Sequence, residues 1–420
     1  MVAQAAPALR TRCRVTDPNP SDAHPRPPPP ELLAPGVLVP AFVLTIVVGY
    51  ALFAHGVGTV AGNELSHPQS LMAAVNAATL TGFQQARNPG DYTLAGQLLT
   101  LGLMVAGTWF SLVGGGLAVV RIGRLPYRDR TVALAAVGAV VAAMVLGAVL
   151  GAGPGRTPFD GAYQAVSAFG NCGLYTGRLP AGGEPRTASL LLPLAVAGSL
   201  GLPVLLDLCT LRPSPHTRRV VVTSALVYLL TVAALVPLLA WKGTLADTID
   251  AFPAAAGVAS REAVKARSAG FPFQFVTELP AASAVVLIVA MVVGGAPGGT
   301  AGGVKVTAVA AVAAGVRDAA LGRPARRGFG VAVGWIAAYL GLLLLATVAV
   351  VLADPELPGD RALFLAVSAL GNVGLSHDPV SPSTAGRYVL SIAMLLGRVL
   401  PVLVLWTVAD RMPDVTEAIG

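Results

Sequence analysis

Four short stretches of this 420-residue chain carry glycine as the third residue of a tetrad: Leu80-Thr81-Gly82-Phe83, Asn171-Cys172-Gly173-Leu174, Ser268-Ala269-Gly270-Phe271 and Asn372-Val373-Gly374-Leu375. Two of them sit inside a longer repeat. Ala165 to Leu174 recurs as Ala366 to Leu375 with eight of ten positions identical, 201 residues further on. Thr79 to Phe83 and Arg267 to Phe271 form a looser pair. A cation leaving water needs oxygen ligands, and rings of backbone carbonyls supply them without a charge that would hold the ion too tightly. Pointing successive carbonyls one way requires conformations that a Cβ obstructs, and glycine has none. A lone glycine in an apolar chain would serve close helix packing. Four of them, each after a short apolar segment, point to a carbonyl ring instead.

A second glycine cluster is Gly294-Gly295-Ala296-Pro297-Gly298-Gly299-Thr300-Ala301-Gly302-Gly303-Val304-Lys305. It lacks the Gly-Lys-Ser/Thr ending of a phosphate loop, because Val304 separates Gly303 from Lys305, and it follows an apolar run rather than a strand. Six glycines and a proline in twelve residues cannot sustain a regular helix. The run is therefore expected to break into a loop. Arg398 lies in the middle of another apolar run, and charges at such depth are costly and usually functional. A fixed charge about 6 Å from a cation, at an effective dielectric of about 20, repels it by roughly 3 kcal/mol.

Other chemistries find little support. Cys13, Cys172 and Cys209 are too scattered for a disulfide frame and read as free thiols. The five histidines never approach metal-ligand spacing. A lipid-modifying enzyme would need clustered acids, whereas Asp247, Asp250, Glu262, Asp354, Glu356 and Asp360 scatter over what read as outer connections.

The elements that must hold these loops follow from composition. Charged residues make up 12% and hydrophobic residues 55%, with mean hydropathy +0.71; a soluble domain carries about 25% charged residues. Eight spans are expected at 36–56, 94–120, 131–153, 187–210, 219–241, 279–300, 329–353 and 386–410. Their inner connections are short and basic: Arg121, Arg124, Arg128 and Arg130; Arg212, Arg218 and Arg219; Lys305, Arg317, Arg323, Arg326 and Arg327. Arg10, Arg12, Arg14 and Arg26 precede the first span and Arg411 follows the last, so the net charge of +7 reports topology, with both termini cytosolic, rather than nucleic-acid binding. Residues 1–32, rich in proline and arginine, are expected to be a disordered cytosolic arm. Each outer connection contains a half-length apolar segment ahead of its tetrad, as a re-entrant helix and loop would. The expected fold class is an all-α membrane protein of four pseudo-symmetric helix–re-entrant loop–helix repeats around a central pore. The repeats are assigned to 33–121, 122–212, 213–318 and 319–420.

This plan resembles the TrkH/KtrB superfamily of potassium transporters (Trk, Ktr and plant HKT proteins) over about residues 30–412. The run from Gly294 to Lys305 is similar to the family's sixth-span signature, Gly201 to Asp207 to its fourth-span segment, and Gly397-Arg398 to its last-span pair. The resemblance implies K⁺ uptake down the electrochemical gradient, with no cofactor and no catalysis. It makes the four tetrads a selectivity filter, and Pro297, Gly298, Gly299, Thr300, Ala301, Gly302 and Gly303 a movable gate beside Arg398. Glycine at all four filter positions favours potassium, since serine at the first accompanies sodium preference in the plant relatives. A homodimer in a bacterial cell membrane is implied, with a separate cytosolic nucleotide-binding regulatory subunit; anionic lipid is an equal partner for the basic loops. The alternatives are a Na⁺-conducting or non-selective relative, or a transport-inactive sensor or scaffold. Two family serines are Ala296 and Gly299 here. Arg261, Glu262, Lys265 and Arg267 charge the third re-entrant segment where relatives are more apolar, so these cations either face outside the membrane or weaken conduction.

Overall fold

The computed structural model describes residues 33–59, 64–85, 88–210, 213–241, 245–268, 271, 273, 275–324 and 327–411. The expectations for the arm 1–32, Ala269 and Gly270 lie outside the described residues. In chain order, α1 (Pro35–Ala54) precedes the short α2 (His67–Ala78), then α3 (Leu94–Phe110), a π-helical turn (Ser111–Gly115) and α4 (Gly116–Ile122). Next come α5 (Asp129–Leu150), the short α6 (Pro158–Phe169), a second π-helical turn (Thr187–Leu191), α7 (Leu192–Leu200) and α8 (Leu202–Cys209). The remainder holds α9 (Pro215–Ala240), α10 (Leu245–Ser268), α11 (Ala281–Val292), α12 (Val306–Ala320), α13 (Arg327–Ala353), α14 (Gly359–Leu370) and α15 (Thr384–Arg411). No β-strand forms among the described residues, and the all-α membrane fold expected from composition is borne out.

Among the described residues, six helices are long and apolar enough to cross a membrane: α1, α3 with α4, α5, α9, α13 and α15. Their burial divides them. Only 17% of the apolar window of α13 is buried, against 83% for α3–α4 and 61% for α15. The latter two are inner spans. The outer ones turn side chains such as Leu44, Leu134, Leu230 and Leu344 outward, where lipid solvates them. Two expected spans are not continuous. The fourth bends by 102° between α7 and α8 at Gly201, whose φ of 85° a right-handed helix excludes. The sixth stops at Val292 and resumes at Val306, because the glycine run between them holds no helix.

The short helices form where the half-length segments were expected. α2, α6 and α14 have 12 residues each, or about 18 Å, roughly half the hydrocarbon thickness. Starts are written in sequence: Ser66 and Thr157 head capping boxes closed by Gln69 and Asp160, each with proline in the first turn. α10 departs from this pattern, at 24 residues. Its first half is mostly apolar, and the charges Arg261, Glu262, Lys265 and Arg267 lie in its second half.

Candidate functional site

Three tetrad loops are described in full on the backbone, and they share one conformation. Leu80, Asn171 and Asn372 take positive φ (59°, 58° and 48°), and so do Gly82, Gly173 and Gly374 (81°, 95° and 81°). The first of these residues closes the preceding short helix with a Schellman motif. In α6, Asn171 N–H donates to Ala168 O and Cys172 N–H to Ser167 O. In α2 the pairs are Leu80 to Ala77 and Thr81 to Asn76; in α14 they are Asn372 to Ala369 and Val373 to Ser368. Asparagine tolerates the left-handed region better than leucine does, so the first loop needs extra support. Asn76 supplies it: its Oδ1 accepts from Phe83 N–H at 2.9 Å while its Nδ2 donates to Phe83 O at 3.0 Å.

The loops touch one another through their glycines. A Cβ on Gly82 would overlap the Cys172 carbonyl oxygen, and one on Gly374 would overlap that of Thr81. Glycines of the inner helices close in behind. Gly107 lies against Ala78 O, Gly198 against Phe169 O and Gly397 against Leu370 O. Each of those carbonyls stands two residues before the Schellman residue, so the three units repeat their packing. The asparagines then tie loop to neighbour. Asn372 Nδ2 donates to Thr81 Oγ1 at 3.0 Å and to Met394 O at 2.8 Å. Asn171 Nδ2 donates to Thr300 Oγ1 at 2.5 Å.

Beneath these loops three interruptions of helix meet. Leu202 N–H, freed at the α7–α8 bend, donates to Gly298 O at 3.2 Å. Ala296 N–H donates to Ser199 O and Thr300 N–H to Gly198 O. Gly298 in turn rests on Gly115 of the first π-helical turn, whose neighbour Gly114 accepts from Trp406 Nε1 at 2.8 Å. Backbone groups left open by one break are thus satisfied by the next, as non-helical chain at membrane depth requires.

Arg398 stands at this junction, 4% exposed. Its Nε donates to Thr79 O at 2.7 Å and its Nη1 to Thr300 O and to Ser111 Oγ. Thr79 ends α2, so the guanidinium faces the negative end of that helix. Lys305 Nζ, on the same side, donates to Ala301 O at 2.6 Å. Gly298, Gly299, Gly302, Lys305 and Arg398 help line a narrow cleft of about 10 Å³, room for at most one water.

Residues 216–414 match the TrkH family, described as cation transport protein. Among solved structures, the potassium transporter TrkH from Vibrio parahaemolyticus superposes with a TM-score of 0.63 at 18% identity, covering 91% of this chain and 86% of that one. The fold is that of TrkH. No curated protein matches the chain. The resemblance to the TrkH/KtrB superfamily is borne out by the family match over residues 216–414 and by the fold, and the chain is a multi-pass membrane protein.

On this TrkH fold the third tetrad is described only at Ser268 and Phe271. Its charged segment does not face outside. Glu262 and Lys265 are buried and paired at 2.8 Å within α10, in the connection between the fifth and sixth expected spans. Arg267 donates to Ser224 O at 2.9 Å and Gly294 O at 3.1 Å, joining the end of α10 to the start of the broken span. Cys172 and Cys209 are free thiols. Outside the fourth loop, His377 packs edge-on against Phe364 at 4.8 Å. Burial pushes its pKa below the usual 6.5, Arg361 adds to this, and Asp360 and Asp378 act in the opposite sense.

Sequence reasoning missed Gln84, Asn76 and Ser111. Their only signal is position: Gln84 follows the first tetrad directly, Asn76 lies four residues before it, and Ser111 opens a helical turn that the apolar pattern does not mark.

Proposed function

We propose that this chain is the pore-forming subunit of a potassium uptake system. K⁺ passes down its electrochemical gradient through a ring of tetrad carbonyls, and the 294–305 loop with Arg398 gates the passage. The observation that carries the reading is the shared backbone of the three described tetrads, with two left-handed residues apiece and glycines in mutual contact. Such loops at the ends of short helices set carbonyl oxygens and negative helix ends toward one place, which favours a cation. The gate reading is supported by the narrow space beneath, where two cations and the glycine loop leave about 10 Å³. The four repeats 33–121, 122–212, 213–318 and 319–420, a homodimer, a separate cytosolic nucleotide-binding subunit and a bacterial cell membrane with both termini inside belong to the same proposal.

A second reading, a relative that conducts Na⁺ or discriminates poorly, is favoured by one feature. The last turn of α10 carries Lys265 and Arg267, whereas those of α2, α6 and α14 carry no cation; cations there offset the negative helix end. Uptake rescue of a potassium-deficient bacterial strain tests the proposal. Growth at low external K⁺ is expected, and no rescue by protein present in the membrane would sink it.

A further inference from the structure

We propose that the Gln84 side chain is a tethered competitor for the cation at the filter end away from Arg398, setting how tightly an entering ion binds. The inference rests on the filter reading above. Gln84 is 3% exposed and follows Phe83 directly. Its Nε2 donates to Gly82 O at 3.1 Å and to Gly173 O at 3.2 Å. Those oxygens occupy matching positions on two adjacent loops, and a cation shedding water there would need both. The amide cannot present Oε1 instead, since that atom would face two carbonyl oxygens with no proton between them. The NH₂ group therefore brings partial positive charge to the place an ion would take.

The other end of the same amide argues against a merely structural role. Gln84 Oε1 is buried and accepts no hydrogen bond from another protein group, so the protein anchors this amide at one end alone. The pivot is fixed, because Gln84 O accepts from Val380 N–H at 2.7 Å. The side chain can leave while its backbone stays. At the matching positions the second and fourth loops carry Tyr175 and Ser376, and Ser376 Oγ donates to Asp378 O instead. Thr79, at the opposite end of the Gln84 loop, is held by Arg398, so donors occupy both ends of one loop.

An entering ion must displace two neutral hydrogen bonds, each worth about 1 kcal/mol net, so the amide should weaken apparent binding about thirtyfold. The test is concentration-dependent K⁺ uptake by the purified full-length protein in liposomes, with Gln84→Ala, Gln84→Met and Gln84→Glu. Gln84→Ala and Gln84→Met should lower the apparent KM for K⁺ about thirtyfold, and Gln84→Glu should also strengthen block by Ba²⁺. An unchanged or raised KM in Gln84→Met, at equal thermal stability and equal protein in the liposomes, overturns the inference. Gly82→Ser run in parallel separates the two claims. If it alters K⁺/Na⁺ preference while the Gln84 variants leave KM unchanged, only the Gln84 inference falls. If none of these variants changes KM or preference, the filter reading falls with it.

Discussion

A serine at position 82 would have to hold φ near 81° and push its Cβ into the Cys172 carbonyl. The left-handed conformation alone costs about 1–2 kcal/mol; the overlap must then be relieved by moving that carbonyl. Gly82→Ser is therefore expected to insert normally and to lose K⁺/Na⁺ discrimination by about tenfold, a loss of roughly 1.4 kcal/mol. Tracer competition between the two ions checks it, and an unaltered ratio would leave the glycine with packing alone. At Arg398 charge and grip can be separated. Glutamine keeps part of the hydrogen bonding and removes the repulsion, so maximal flux should rise about tenfold, below the full effect of a roughly 3 kcal/mol barrier because water screens it. Lysine keeps the charge but reaches fewer of Thr79 O, Ser111 Oγ and Thr300 O, so its gain should be smaller. Equal rates for wild type and both variants would remove Arg398 from the mechanism. His377 gives a pH dependence. Its folded pKa is depressed, mainly by burial, so the neutral form is favoured in the fold. That stabilisation is complete above the ordinary value of 6.5 and is lost as pH falls through the lower, folded one. Thermal unfolding should come earlier as pH drops below about 6.5, and His377→Gln should flatten the trend. Parallel profiles for the two proteins would assign the acid sensitivity elsewhere.

Among the elements, the 294–305 loop is held mainly through its backbone, and Thr300 adds side-chain bonds. Thr300 Oγ1 donates to Phe169 O at 3.0 Å and accepts from Asn171 Nδ2. Thr300→Ala removes both, about 1 kcal/mol each, and should raise flux several-fold if the loop shuts the passage. A fall in flux from well-folded protein would make the loop a scaffold. α10 offers a stability test independent of transport. Lys265→Met strands Glu262 in a buried site and should cost about 3–5 kcal/mol, whereas Glu262→Leu with Lys265→Met should recover most of that loss. Chemical denaturation in detergent distinguishes the two, and a harmless single variant would mean that Glu262 reaches water. These elements also mark where sequence was legible. The short helices α2, α6 and α14 were readable because cap, proline and tetrad bracket a half-length apolar run. The break after Val292 was readable because six glycines cannot pack as helix. The bend at Gly201 and the π-helical turn at Ser111–Gly115 were not. One glycine in an apolar run is as compatible with close packing as with a break, and only the opposing loop shows which groups would satisfy it. The full length of α10 escaped because Pro253 interrupts its first half and four charges interrupt the apolar pattern of its second.

For the whole molecule, the repeated decade and the alternation of spans and tetrads carried the fold, because each unit must bury its short helix against its own long ones. What the repeat did not disclose is its asymmetry. Gln84 and the Glu262–Lys265 pair each occur in one unit, and an argument from periodicity passes over whatever is not periodic. If the tetrad carbonyls select K⁺, the purified full-length protein in liposomes under an imposed membrane potential must discriminate K⁺ from Na⁺ at equal concentration. Voltage-driven uptake that favours K⁺ is expected, with a Gly82→Ser protein in which that preference collapses. Equal K⁺ and Na⁺ rates in the wild type, or no flux from correctly folded protein at any potential, would contradict selection by the tetrads.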